Sequence, residues 1–145
     1  MISAMETARV LRSMWADDTA HRPLIADNAN ALGIRPGIDL PVETGGLVKP
    51  GTGGMSVSPA ITDMPNHKIP RRMRAVYPSA RGSNDLICWV LDGMNWGDAE
   101  INDDLSLRCD RPTHGMIEPG SEMDLDMYRA ALVATQPMWK SIPWS

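Results

Sequence analysis

A chain of 145 residues, 43% hydrophobic and 22% charged, has the length of one domain and the composition of an ordinary globular one. That argues against a chain disordered as a whole and, with only Cys88 and Cys109 present, excludes a disulfide scaffold or a zinc cage built on cysteines. The net charge of −4 hides a division: residues 63–82 carry five basic residues against Asp63, and residues 83–126 carry eleven acids against Arg108 and Arg111.

In chain order, residues 5–16 alternate weakly and read as a strand or, on propensity, as a helix. As a strand they place Val10, Arg12 and Met14 on one face and Leu11, Ser13 and Trp15 on the other. Residues 17–44 are polar and broken by Pro23, Gly33, Pro36, Gly37 and Pro41, a pattern of turns. Five of the ten residues from 45 to 54 are glycine, so the backbone there must bend or approach something closely. Residues 58–84 are basic and punctuated by proline, an irregular connection of a length that is functional or disordered. Their charge suits either a phosphate or the acidic half of the same chain.

Residues 85–91 predict a strand closed by Asp92-Gly93, and residues 105–109 and 113–119 two more. Ser121 and Asp124 form a variant capping box ahead of Leu125, Tyr128 and Leu132, which predicts an amphipathic helix over residues 122–135, ending before Pro137. Met123 and Met127 read as core on that helix, Trp15, Trp89 and Trp96 as core or rim, and Trp139 and Trp144 as packing back on the domain or on a partner. With no Phe, eleven Met and five Trp, the core is expected to be pliable.

No apolar run reaches the roughly 18 residues of a spanning helix, so no membrane partner is expected. Arg9 and Arg12 interrupt the early apolar stretch, which argues against a signal peptide and for a cytoplasmic protein with free thiols, specialised export remaining open. A Cys88–Cys109 bridge requires their strands to be neighbours.

The standard chemical templates are absent. No Gly-Lys-Ser/Thr closes the glycine stretch, and Ser56 stands where a dinucleotide fingerprint needs its third glycine. His21, His67 and His114 are scattered without metal-ligand spacing, so no metal site is expected. What remains is an order of pieces: Arg12 early, a Gly53-Gly54-Met55-Ser56 bend, then His114 and Glu118 on a late strand. Cleaving a dinucleotide at its nicotinamide bond needs a forked cation for phosphate, a small hydroxyl at a bend against the ribose, and a carboxylate beside the oxocarbenium-like centre. Many domains hold such residues in this order.

The stretch GLVKPGTGGMSV (46–57) resembles the glycine motif of the bacterial type VI secretion toxins with an ADP-ribosyltransferase-like fold. DDLSLRCDRPTHGMIEPGSEMDLDMYRAAL (103–132) is similar to that family's later strand, its His-x-x-Ile-x-Pro and its helix, and VLRSM (10–14) to its first strand. The resemblance covers about a third of the chain. It implies a compact α+β domain over residues 1–145, ADP-ribosyltransferase-like, with a split, twisted, mixed or antiparallel sheet and a C-terminal helix. It implies a cytosol-acting toxin that binds NAD as substrate, modifies an unknown intracellular target or hydrolyses NAD, and is neutralised by a cognate immunity protein. On it, Arg12, Gly53, Gly54, Met55 and Ser56 bind the cofactor, and Ser56, His114 and Glu118 serve catalysis. The bacterial toxin carries threonine where Met55 stands, so the hydroxyl role falls to Ser56, and Glu118 replaces an apolar residue, as a gained carboxylate or a surface acid. Two other readings compete: a catalytically inactive binding module of the same fold that acts by occupying a protein partner, through the basic 68–81 segment or the acidic helix, and an RNA-acting protein. The acidic half argues against a nucleic-acid partner.

Overall fold

The computed structural model describes residues 8–19 and 21–142. The strands are β1 (Arg9–Trp15), β2 (Leu47–Val48), β3 (Met55–Val57), β4 (Leu86–Asn95), β5 (Ala99–Glu100), β6 (Leu105–Arg111), β7 (His114–Pro119), β8 (Met123–Asp124) and β9 (Trp139–Ser141), with one α-helix, α1 (Leu125–Ala134). They form an antiparallel sheet β1-β4-β9, a second in the order β3-β7-β6-β5, and a small pair β2-β8. The class is α+β, and parallel pairing is confined to isolated bridges such as Ile25–Leu32.

Residues 9–15 settle as strand because each face has its own core to enter. Val10 and Met14 join the main core with Trp89, Leu91, Met55, Ile117, Tyr128 and Trp139. On the opposite face, Leu11, Cys88 and Ile142 meet Ile61, Met64, Ile69, Met73 and Ala80 in a second core. Residues 58–84 are therefore an ordered wall, wound through 3₁₀ turns at Ile61–Asp63, Asn66–Lys68 and Arg71–Met73. Each fully buried Ile or Met contributes about 1.5–3 kcal/mol, enough in number to fix a segment that forms no strand of its own among the described residues.

β4 runs past the expected stop at Asp92-Gly93. Gly93 takes a left-handed φ of +82°, and the register slips between the pairs Arg9–Asn95 and Leu11–Val90, so the dipeptide makes a bulge rather than an end. Cys88 on β4 and Cys109 on β6 sit in different sheets, and neither is in a disulfide.

The helix begins at Leu125, later than its sequence signal. Asp124, not Ser121, is the cap: its carboxylate accepts from the Met127 N–H at 2.7 Å. Met123 and Asp124 stay extended because they pair with Val48 and Leu47. Met123 is buried, but Met127 is 47% exposed and lies outside the core. The buried Tyr128 hydroxyl donates to the Ile117 carbonyl at 2.6 Å, fastening α1 to β7. Burial pushes that phenol well above its usual range, keeping it a donor. Trp89 and Trp139 are buried, their indole N–H groups donating to the Met14 carbonyl at 3.0 Å and the Thr135 hydroxyl at 3.0 Å. Trp144 lies outside the described residues.

Candidate functional site

The two larger sheets touch where β1 meets the end of β3. The Leu11 N–H donates to the Ser58 carbonyl at 2.8 Å, and the Ser58 N–H returns a bond to Leu11 at 2.9 Å. Beyond that bridge the strands part. Trp15 directs its N–H instead to the Asn30 carbonyl, at 2.8 Å. Backbone groups alternate sides along an antiparallel strand, so the N–H and C=O of Ser13, midway between, face this same edge. Among the described residues no strand pairs with Ser13 there. Its buried hydroxyl has no hydrogen-bond partner among the described residues.

Arg12 fills the gap between the parted strands. Its guanidinium donates to the carbonyls of Ser56 on β3 (2.8 Å), Ala31 (2.9 and 3.2 Å) and Ala29 (3.1 Å). It is 7% exposed and has no carboxylate at ion-pair distance among the described residues. Loss of hydration lowers its pKa to about 10, against the pull of Asp39. It remains a cation at neutral pH, and most of its fork is committed to backbone.

Where the strands separate they leave a cavity of about 180 Å³, lined by Arg12, Ser13, Ser56, Ser58, Lys68 and His114, with Arg35 and Asp39 beside them. Ser56 pairs with Met116 across the β3–β7 ladder, and His114, two residues before Met116, projects from the same face. The His114 Nδ1 lies 2.7 Å from an Asp110 carboxylate oxygen. Burial works to raise the Asp110 pKa, but the hydrogen bond and charge of His114, with its own backbone amide and the charge of Arg111, together outweigh it and hold the carboxyl below the ordinary range. This leaves the other ring nitrogen of His114 for the cleft. Asp39 accepts from the Arg35 side chain at 2.8 Å and its N–H at 2.7 Å, so the cleft's own carboxylate is already engaged.

Of the residues singled out from sequence, the fold brings Arg12, Ser56 and His114 into one hollow. The remaining four are placed elsewhere. Met55 turns its side chain into the main core, because β3 alternates and Ser56 takes the outer face. Gly53 and Gly54 use their missing side chains for packing: a Cβ on Gly53 would lie 2.2 Å from the Asp39 carbonyl oxygen, and one on Gly54 2.5 Å from that of Ile117. Glu118 is neither in the cleft nor a surface acid. It is 3% exposed in a separate hollow with Pro50 and Gly120. One of its oxygens accepts from Arg108 Nε at 2.6 Å and the other from the Gly51 N–H at 2.6 Å. Glu118→Ala is expected to cost about 2 kcal/mol in urea unfolding, since it strips both the half-buried Arg108 and the Gly51 amide of their acceptor. An unchanged midpoint would contradict that bracing role.

Sequence reasoning passed over Ser13, Arg35, Asp39, Ser58, Lys68 and Asp110 as site residues. The Arg35–Asp39 spacing and the basic stretch around Lys68 were visible signals; the exposed edge at Ser13 depends on where β3 ends and was not. No known family model, curated protein or solved structure matches the chain.

Proposed function

We propose that this domain is an ADP-ribosyltransferase-like toxin that takes the nicotinamide end of NAD into the cleft between β1 and β3. The observation that carries the reading is the Ser13 edge. One backbone donor and one backbone acceptor, side by side at a cleft wall, match a planar primary carboxamide, which presents the same two groups in complement. Ser56 and Ser58 offer hydroxyls of ribose scale, and the Asp110–His114 pair a group able to hold or move a proton. The cavity is smaller than the roughly 300–1,000 Å³ of sites that enclose a whole drug-sized ligand, so it suits one end of a dinucleotide, with the remainder on the surface. The sequence resemblance adds delivery by specialised secretion, action on an intracellular target and neutralisation by a cognate immunity protein.

A second reading has its own support. Cleavage of the nicotinamide bond needs a carboxylate near the developing ribosyl cation. Asp39 is bound to Arg35, and Glu118 is locked on Arg108 outside the cleft. That arrangement favours a module that holds NAD without breaking it.

Induction in bacteria lacking a protective partner, with nicotinamide release measured on the purified protein, separates the two. The transferase reading expects growth arrest and released nicotinamide, both cut at least tenfold in Ser56→Ala and in His114→Ala, the usual scale for a lost acid–base group. Saturable NAD binding without release supports the module that holds NAD unbroken. Absence of NAD binding rejects both.

A further inference from the structure

Three of the five cations in the basic stretch that stands out in the sequence are spent on backbone carbonyls of that segment and of the start of β4. Arg71 donates to the Gly82 carbonyl (3.4 Å), Arg72 to those of Asn84 (2.6 Å) and Leu86 (2.7 Å), and Arg74 to that of Ala80 (2.9 Å). Lys68 differs. From the end of the Asn66–Lys68 turn it reaches the cleft, where its ammonium meets the Asn30 side-chain oxygen and, at 3.3 Å, the Ala29 carbonyl. Both partners are neutral.

We propose that Lys68 anchors an oxyanion subsite in the cleft, made for a phosphate-class dianion. Assigning that dianion to the pyrophosphate of NAD rests on the function proposed above; the anion site itself rests on the charges alone. Three cations, Arg12, Arg35 and Lys68, share the cavity with one carboxylate, Asp39, and Asp39 is taken by Arg35. His114 is turned to Asp110. Neither Lys68 nor Arg12 has a carboxylate at ion-pair distance among the described residues. Ser13, which lines the same cavity, carries a buried hydroxyl without a hydrogen-bond partner among the described residues, a neutral donor at hand. A desolvated excess of positive charge with a spare hydroxyl is what an oxyanion relieves. Arg12, with its fork on backbone carbonyls, is left as a background charge, and the direct contact falls to Lys68.

The same charges set a pH dependence. Half-burial, then repulsion from Arg12 and Arg35, lowers the Lys68 pKa to about 8, against the attraction of Asp39. A bound anion favours the ammonium, so affinity is full below that value and falls as pH rises through it.

Sulfate is the probe, because it stays a dianion across the range, and calorimetric titration the readout. Wild type is expected to bind sulfate roughly tenfold more weakly at about pH 9 than at about pH 7. Lys68→Gln is expected to lose a similar factor at about pH 7 and to show no pH dependence, while Lys68→Arg restores binding without the fall. The wild-type fall persists in His114→Gln; its disappearance there would assign the titration to the imidazole and overturn the role of Lys68. Sulfate binding equal in wild type and Lys68→Gln, or no saturable binding, overturns the subsite. A parallel NAD titration keeps the two proposals apart. Sulfate bound through Lys68 with no NAD binding leaves the anion site standing and removes NAD. NAD bound equally by wild type and Lys68→Gln leaves the NAD reading standing and removes the assignment of the dianion to its pyrophosphate.

Discussion

Arg12→Met is expected to lower the unfolding free energy by about 3 kcal/mol and the melting temperature by on the order of 10 °C. The wedge between β1 and β3 holds the carbonyls of Ala29, Ala31 and Ser56, all drawn to one guanidinium. Methionine has nearly the reach but no donor, and each buried acceptor left bare costs about 1–3 kcal/mol. Removing a desolvated cation returns part of that, so the net is less than the sum. Arg12→Lys keeps the charge but cannot fork, and is expected to fall between wild type and Arg12→Met. If Arg12 served only a ligand, both variants would melt with the wild type in the absence of ligand, and scanning calorimetry of the free protein decides this.

The second large effect lies in the glycine stretch, and its strength varies by position. Gly53→Ala and Gly54→Ala are each expected to cost more than about 3 kcal/mol in urea unfolding. At Gly53 the added methyl would meet the Asp39 carbonyl oxygen at 2.2 Å, from a backbone with φ +147°. At Gly54 it would sit 2.5 Å from the Ile117 oxygen and 3.1 Å from the Glu118 Cα, forcing β3 off β7. Both obstacles are backbone, which cannot swing aside as a side chain can. Gly51→Ala is the control. It meets nothing within 4 Å, so its cost is only that of a left-handed φ of +80°, about 1–2 kcal/mol. Equal losses at positions 51, 53 and 54 would mean that conformation alone, and not close approach, explains the glycines.

Much of the fold was legible because its signals are local. The alternation from Leu105 to Cys109, and that around His114 to Pro119, is the trace of strands with one face in the core, and both are found as strands. Tyr128 and Leu132 mark the buried face of α1. Errors arose where a distant partner decides. Met123 and Asp124 read as helix until β2 is there to pair with them. Asp92-Gly93 reads as a turn until β1 reaches across to Asn95. The stretch 58–84 looks unstructured because its order comes from Ile and Met side chains pressed on the far face of β1 and β4, with no periodicity of its own. At the site, residue types pointed to Arg12, Ser56 and His114 but said nothing of where along β7 each hollow lies. Glu118, four residues beyond His114 on β7, is taken up by Arg108 and Gly51. Lys68 and Ser13 come from segments brought together only by the meeting of Leu11 with Ser58.

The central claim is that a ligand enters where β1 and β3 part. The most direct measurement is a titration of ¹⁵N-labelled protein with NAD, followed by amide chemical shifts. Saturable shifts should concentrate on Ser13, Ser56, Lys68 and His114, with Gly51, Ser106 and Gly120 around the Glu118 hollow unmoved. Shifts centred on that second hollow, or none that saturate, would contradict the account.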